Sequence, residues 1–158
     1  MNEGFEQTKK AALKLLAFRP RSEMELRRRL LEKKCDLESI NRTITELTQS
    51  KMIDDGKFAK LYALSRVQSR AMGKPLIRRE LQAKGLSSNC VAEAMRAIAD
   101  VSDLESAMDF AKKKMLTMKG LENEAKKRRV HAALLRRGFE GSTVFKVLGS
   151  LLGEAEEF

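Results

Sequence analysis

Apolar residues fall three or four apart along most of this chain, and the pattern itself returns about every fifty residues. Ala12, Leu13, Leu16 and Ala17 share one face of a helix predicted from about Glu6 to Phe18. Pro20 ends it, because proline has no N–H to donate and pushes its predecessor out of helical geometry. A second helix carries Leu26, Leu30 and Leu31 to about Lys34. It opens at Ser22-Glu23-Met24-Glu25, a capping box in which the Ser22 hydroxyl accepts from the Glu25 N–H and the Glu25 carboxylate answers. Asp36 caps a third helix through Ile40, Ile44 and Leu47.

Shifted by 51 residues, the pattern repeats: Leu26 falls on Ile77, Leu30 on Leu81, Ile40 on Val91 and Ile44 on Met95. Upstream, Ala12 falls on Ala63, Leu13 on Leu64 and Leu16 on Val67. A third copy lies 53 residues further, with Val130 on Ile77, Leu134 on Leu81, and Arg137-Gly138-Phe139 on Lys84-Gly85-Leu86. We call the three helices of each unit A, B and C. Asp54 and Asp55 cap helix A of the second unit, Pro75 sits in the first turn of its helix B, and Gly85 and Gly138 end helices B as left-handed caps. Ser102-Asp103-Leu104-Glu105 is a second capping box. Phe110-Ala111-Lys112 matches Phe58-Ala59-Lys60 at an offset of 52, which places a one-residue insertion near Gly120. Nothing alternates with period two, so the fold class is all-α. Three tandem three-helix repeats, at 1–50, 51–101 and 102–158, would lean on one another in an elongated, curved array. Two helix diameters of ~10 Å per repeat give a length on the order of 60 Å.

Charge changes the picture more than composition does. The chain carries a net +10, distributed over the repeats as +3 (11 basic, 8 acidic), +5 (10 and 5) and +2 (11 and 9). That spread implies a polyanionic or acidic partner contacted along the array and not through a basic tail. On helix B, Arg28 points away from the Leu26 and Leu30 line, flanked by Arg27 and Arg29; in the second repeat Arg79 is the counterpart of Arg28 and Arg78 that of Arg27. Lys74 stands in the turn before that helix. In the third repeat Arg128 and Arg136 take the outward face, and Lys33, Lys84 and Arg137 recur where helices B end. Solvation and the helix dipole explain part of this pattern. They leave unexplained why helices C hold only Arg42, Arg96 and Lys146. The second helix of each B–C pair is nearly neutral, which disfavours major-groove reading of a DNA sequence. Most phenylalanines fall on predicted core faces, so base stacking is not the main device. The methionines also fall on predicted apolar faces.

Catalytic chemistry is poorly supplied. His131 is the one histidine and has no Cys or His cluster around it. Asp54-Asp55 is explained by capping before metal binding, and no phosphate-cradling glycine motif or nucleophile elbow occurs. No cofactor, metal or catalytic residue is expected. Cys35 and Cys90 occupy unrelated repeat positions and form no C-x-x-C, as for reduced thiols in a cytoplasmic protein. No secretory or membrane-spanning segment is predicted, and no heptad seam argues against a monomer.

Arg19-Pro20-Arg21-Ser22-Glu23-Met24-Glu25-Leu26, Ile53-Asp54-Asp55-Gly56-Lys57-Phe58-Ala59, the stretch from Gly73 to Leu86 and the closing Leu134-Leu135-Arg136-Arg137-Gly138-Phe139 together resemble the RecX family in order and spacing. The chain departs from the family at Pro20, usually a polar residue, and at Lys34, usually glycine. The resemblance implies three tandem three-helix repeats and a non-enzymatic regulator of the RecA recombinase. It implies binding to the RecA–DNA filament and restraint of filament growth, ATP hydrolysis and strand exchange, within DNA repair, recombination and the SOS response. It transfers a surface and no active site. The competing reading is a stand-alone module that binds single- or double-stranded DNA without sequence preference.

Overall fold

The computed structural model describes residues 3–152. They form α1 (Glu3–Phe18), α2 (Glu23–Glu32), α3 (Leu37–Gln49), α4 (Asp55–Arg70), α5 (Lys74–Ala83), α6 (Ser88–Ala97), α7 (Asp103–Leu116), α8 (Asn123–Arg136) and α9 (Gly141–Leu152), with no strand among the described residues. Helices A, B and C of the three repeats are therefore α1–α3, α4–α6 and α7–α9.

The chain divides into two compact units, one of residues up to 61 together with 81–94, the other of 62–80 together with 95 onward. In the first, α1, α2 and α3 pack pairwise around Ala12, Leu26, Leu30, Ile40, Ile44, Leu47 and Ile53. Alanine on α1 lets the other two helices approach closely, and Leu26 and Leu30 are fully buried. In the second, α7, α8 and α9 do the same around Ala107, Ala111, Val130, Leu134, Val144 and Val147. Ala12 and Ala111 each have no exposed surface. Burying each Leu or Val stabilises its unit by roughly 1.5–3 kcal/mol.

One kind of junction recurs, once in each unit. In the first, the N-terminus of α2 meets the C-terminus of α5: Ser22 Oγ donates to the Lys84 carbonyl at 2.7 Å while accepting from the Glu25 N–H at 3.2 Å. In the second, the N-terminus of α5 meets the C-terminus of α8, where the Gly73 N–H donates to the Arg137 carbonyl at 2.8 Å. Positive and negative helix ends thus face each other, and each satisfies groups its own helix leaves unpaired. The next repeat also supplies a carboxylate. Asp55 Oδ1 accepts from the Glu23 N–H at 2.9 Å, and Asp103 Oδ2 accepts from the Lys74 N–H at 3.1 Å. The helix ends come so close that a Cβ on Gly73 would lie 2.4 Å from the Gly138 carbonyl oxygen, and one on Gly138 would lie 2.1 Å from the Leu76 Cβ.

Local details follow the pattern, with differences. Ser22 forms the full capping box, and Asp36 and Asp54 cap as expected. Ser102 makes only the forward bond, from the Glu105 N–H at 3.2 Å; the Glu105 side chain stays in solvent. The extra residue of the third repeat falls in a connection of residues 117–122, and α8 is longer than α2 or α5. Phe18 and Phe145 are 85% and 74% exposed, departing from their expected place in the core, because one ends α1 and the other faces outward on α9. Met24 and Met52 are also half-exposed. Gly85 and Gly138 take φ of +74° and +81°. Lys34 takes the same left-handed conformation, at +62°, and closes α2 with bonds from its own N–H to the Leu31 carbonyl and from Cys35 to Leu30.

Two expectations for stability follow from these helix ends. Lys34→Gly should stabilise the protein by up to about 1 kcal/mol, because it relieves a left-handed side chain. Gly138→Ala should cost more than about 2 kcal/mol, since backbone strain adds to a clash with Leu76. Urea unfolding of both variants measures the two effects, and a neutral Gly138→Ala would mean that the helix ends do not meet as described.

Candidate functional site

The basic residues of helices B divide by what they touch. Arg28, Lys33, Arg78, Arg79, Arg128 and Arg136 are exposed, and none has an ion pair or hydrogen bond to another described residue. Arg28 and Arg79, equivalent at the 51-residue offset, both lie outward as helical geometry requires. The others are engaged. Arg27 Nε donates to Glu23 at 2.8 Å and its Nη1 to Asn41 at 2.6 Å, while Arg29 pairs with Glu32 at 2.9 Å. Lys74 Nζ donates to the Ala99 carbonyl at 2.9 Å.

Lys84 and Arg137 do equivalent structural work. Lys84 Nζ stands 5.9 Å from the centre of the Phe58 ring, and the Arg137 guanidinium stands 4.1 Å from that of Phe110. Each aromatic ring belongs to helix A of the same repeat as the cation, so the end of helix B is tied to helix A by cation–π attraction. Lys84 also donates to Glu25 Oε1 at 2.9 Å. Arg19 reaches the same carboxylate at 3.2 and 3.3 Å, and the Ser22 N–H reaches it at 3.2 Å. Burial pushes the Glu25 carboxyl up, but the hydrogen bonds from Arg19, Lys84 and Ser22 prevail and hold it at about 2. Asp55 and Asp103 go the other way: burial raises both, and the single backbone N–H each accepts offsets only part of it.

In the second unit, Tyr62 donates to Glu80 at 2.5 Å and accepts from Arg66 at 2.9 Å, linking α4 to α5. His131 is exposed on α8, and Cys35 and Cys90 are free thiols. Among the described residues no group of His, Cys, Asp or Glu could hold a metal ion, and no helix is long and apolar enough to cross a membrane.

Sequence reasoning overlooked Lys10, Lys14 and Arg21, which with Lys33 line a cleft beside α1. A signal was present. Lys10, Lys14 and Phe18 step by four and so share one line along the helix.

Comparison with known proteins matches the whole arrangement to one family. Models of the first, second and third three-helix domains of RecX match residues 9–47, 54–95 and 101–148. "Regulatory protein RecX" of Chlorobaculum tepidum is 32% identical over 143 residues, covering 90% of this chain and 87% of that protein. The protein of the same name from Streptomyces coelicolor is 26% identical over 152 residues, covering 96% and 81%. Among solved structures, RecX from Lactobacillus salivarius superposes with a TM-score of 0.74 at 20% identity, covering 96% of this chain and 98% of that one.

The Glu25 cluster generates a pH dependence with a definite sign. Its carboxyl is lowered on folding, from 4.5 to about 2, so the stability it contributes is present above pH 4.5 and is lost as pH falls towards 2. The contribution at neutral pH is on the order of 3 kcal/mol. Glu25→Gln should therefore destabilise the protein by about 1–3 kcal/mol at pH 7 and by less than half as much at pH 3. Chemical denaturation at the two pH values measures both differences, and an equal loss at each would remove Glu25 from the acid response.

Proposed function

This chain belongs to the RecX family, and on that footing we propose that it is a non-enzymatic regulator of the RecA recombinase. It holds the RecA–DNA filament through the outward basic faces of its helices B and limits filament growth, ATP hydrolysis and strand exchange. The observation that carries this reading is the set of unpaired, exposed arginines on the outward faces of helices B, with Arg28 and Arg79 at repeat-equivalent positions. A guanidinium without an internal partner breaks no hydrogen bond of the fold on meeting a phosphate or carboxylate, and it binds either in bidentate fashion. Arg78, Arg128 and Arg136 belong to the same set. Arg27, Arg29, Lys74, Lys84 and Arg137 contribute positive potential, while their own hydrogen bonds and ring contacts keep them in the scaffold. The lone, exposed His131 and the lack of a metal-ligand group among the described residues favour a binding role over catalysis. The protein acts as a monomer in the cytoplasm, where RecA filaments form.

The alternative of a stand-alone DNA-binding module rests on the same cations and makes a different demand. It requires tight, steeply salt-dependent binding to naked DNA, beyond the ~10 µM typical of non-specific contacts near physiological salt. The test is RecA's ATPase on single-stranded DNA, followed during titration with this protein. Inhibition at far fewer molecules than RecA protomers is expected. Arg28→Glu/Arg78→Glu/Arg79→Glu should raise the concentration for half-inhibition at least about tenfold with unchanged circular dichroism, since each lost charge-assisted contact weakens binding by 1 kcal/mol or more. Inhibition that appears only once the DNA is covered would favour the module, and inhibition untouched by the triple variant would place the contact elsewhere.

A further inference from the structure

A cleft of about 490 Å³ opens beside α1 in the first unit. Lys10, Lys14, Arg21 and Lys33 line it, and no carboxylate does. Arg21 is the telling member. It is only 9% exposed, its Nε donates to the Leu15 carbonyl at 3.3 Å, and no ion pair neutralises it. Burial, with the Arg19 and Arg29 charges added, lowers its pKa, and the Glu25 carboxylate offsets only part of this. A guanidinium held out of water without a carboxylate paired to it is costly, and Lys10, Lys14 and Lys33 add positive charge to the same cleft. An anion entering the cleft would relieve all four.

The remaining lining is apolar. Ala11 and Leu15 make the α1 wall, and the Phe18 ring stands at the end of that wall with most of its surface in water. A second hollow, of about 410 Å³, shares Lys10 and Lys14 and adds Leu13 and Ala17. Two exposed lysines one turn apart therefore stand between two apolar depressions. Repeat comparison shows why there is room. The residue equivalent to Phe58, over whose ring Lys84 lies, is Gln7 at the 51-residue offset, and Gln7 lines the cleft together with Lys33. Where the second repeat fills the space beneath its helix B cation with a ring, the first leaves it open.

We propose that this cleft docks an acidic peptide segment carrying a large apolar side chain. Its carboxylates meet Arg21 and the lysines, and its apolar anchor lies against Leu15 and Phe18. Carboxylate on guanidinium is the pairing for which Arg geometry is best suited. A nucleic acid fits less well: one ring can stack one base, and aliphatic Ala11 and Leu15 offer no further platform. The site shares Lys33 with the basic residues of the helices B but none of the arginines assigned to the filament, and its test needs no RecA, so the two readings stand or fall apart.

The test is fluorescence anisotropy on the full chain, with a fluorescein-labelled peptide of glutamates around a central leucine. Saturable binding with Kd on the order of 10–100 µM is expected at low salt. Lys10→Glu/Lys14→Glu, at two exposed positions, should weaken it about tenfold with the fold intact by circular dichroism. Phe18→Ala should weaken it about threefold and leave binding of an all-glutamate peptide unchanged. Three results would overturn the proposal. They are no saturable peptide binding, an oligothymidylate of equal charge binding in preference to the peptide, and millimolar inorganic phosphate displacing both peptides alike, which would reduce the cleft to a bare anion site.

Discussion

Most of what holds these repeats in place depends on the end-to-end meeting of one helix B with the next. An α-helix leaves N–H groups unsatisfied at one end and carbonyls at the other. Here the ends answer each other, Ser22 to Lys84 in one unit and Gly73 to Arg137 in the other. At one junction the backbones come so close that Gly73 and Gly138 leave no room for a Cβ, and at both the adjacent cation, Lys84 or Arg137, stands over a phenylalanine ring. Dipole, hydrogen bond, backbone approach and cation–π contact all act at one spot.

This constraint sorts the positive charge. A net +10 looks at first like one undifferentiated surface. Half-buried Lys84 and Arg137 sit where a helix C-terminus, a carboxylate or an aromatic face requires a cation, and their charge is spent within the fold. Arg28 and Arg79 face away from every such demand. Only the second class is free to follow a partner, so counting cations overstates the contact surface and their local partners delimit it.

The helices, their caps and their repeat were legible in the sequence because each rests on local rules: apolar spacing, a Ser22 or Asp36 cap, a Gly85 or Gly138 stop. What could not be read depends on contacts between residues far apart in the chain. Nothing in Ser22-Glu23-Met24-Glu25 says that the Ser22 hydroxyl also serves a carbonyl 62 residues on, or that Asp55 turns back to the Glu23 N–H. Ile53-Asp54-Asp55 predicts an Asp cap for its own helix, which Asp54 provides; Asp55 instead accepts from the Glu23 N–H of the preceding helix B. Arg21 was equally opaque, since burial without a paired carboxylate is visible only once α1 and its neighbours are placed. Lys10, Lys14 and Phe18 were readable as a line, but in an isolated helix that line looks like ordinary solvated surface.

The carboxylates of Asp55 and Asp103 have a consequence for the order in which the chain can become native. Each completes the start of a helix that was synthesised some thirty residues earlier. A nascent chain leaving the ribosome therefore carries a helix B whose first N–H, at Glu23 or Lys74, lacks its carboxylate acceptor until the following repeat emerges. Maturation runs backward along the chain, each repeat finishing the one before. A ribosome stalled between repeats would present a nearly complete module with one unsealed end, the state in which a chaperone or a protease could tell unfinished from finished protein.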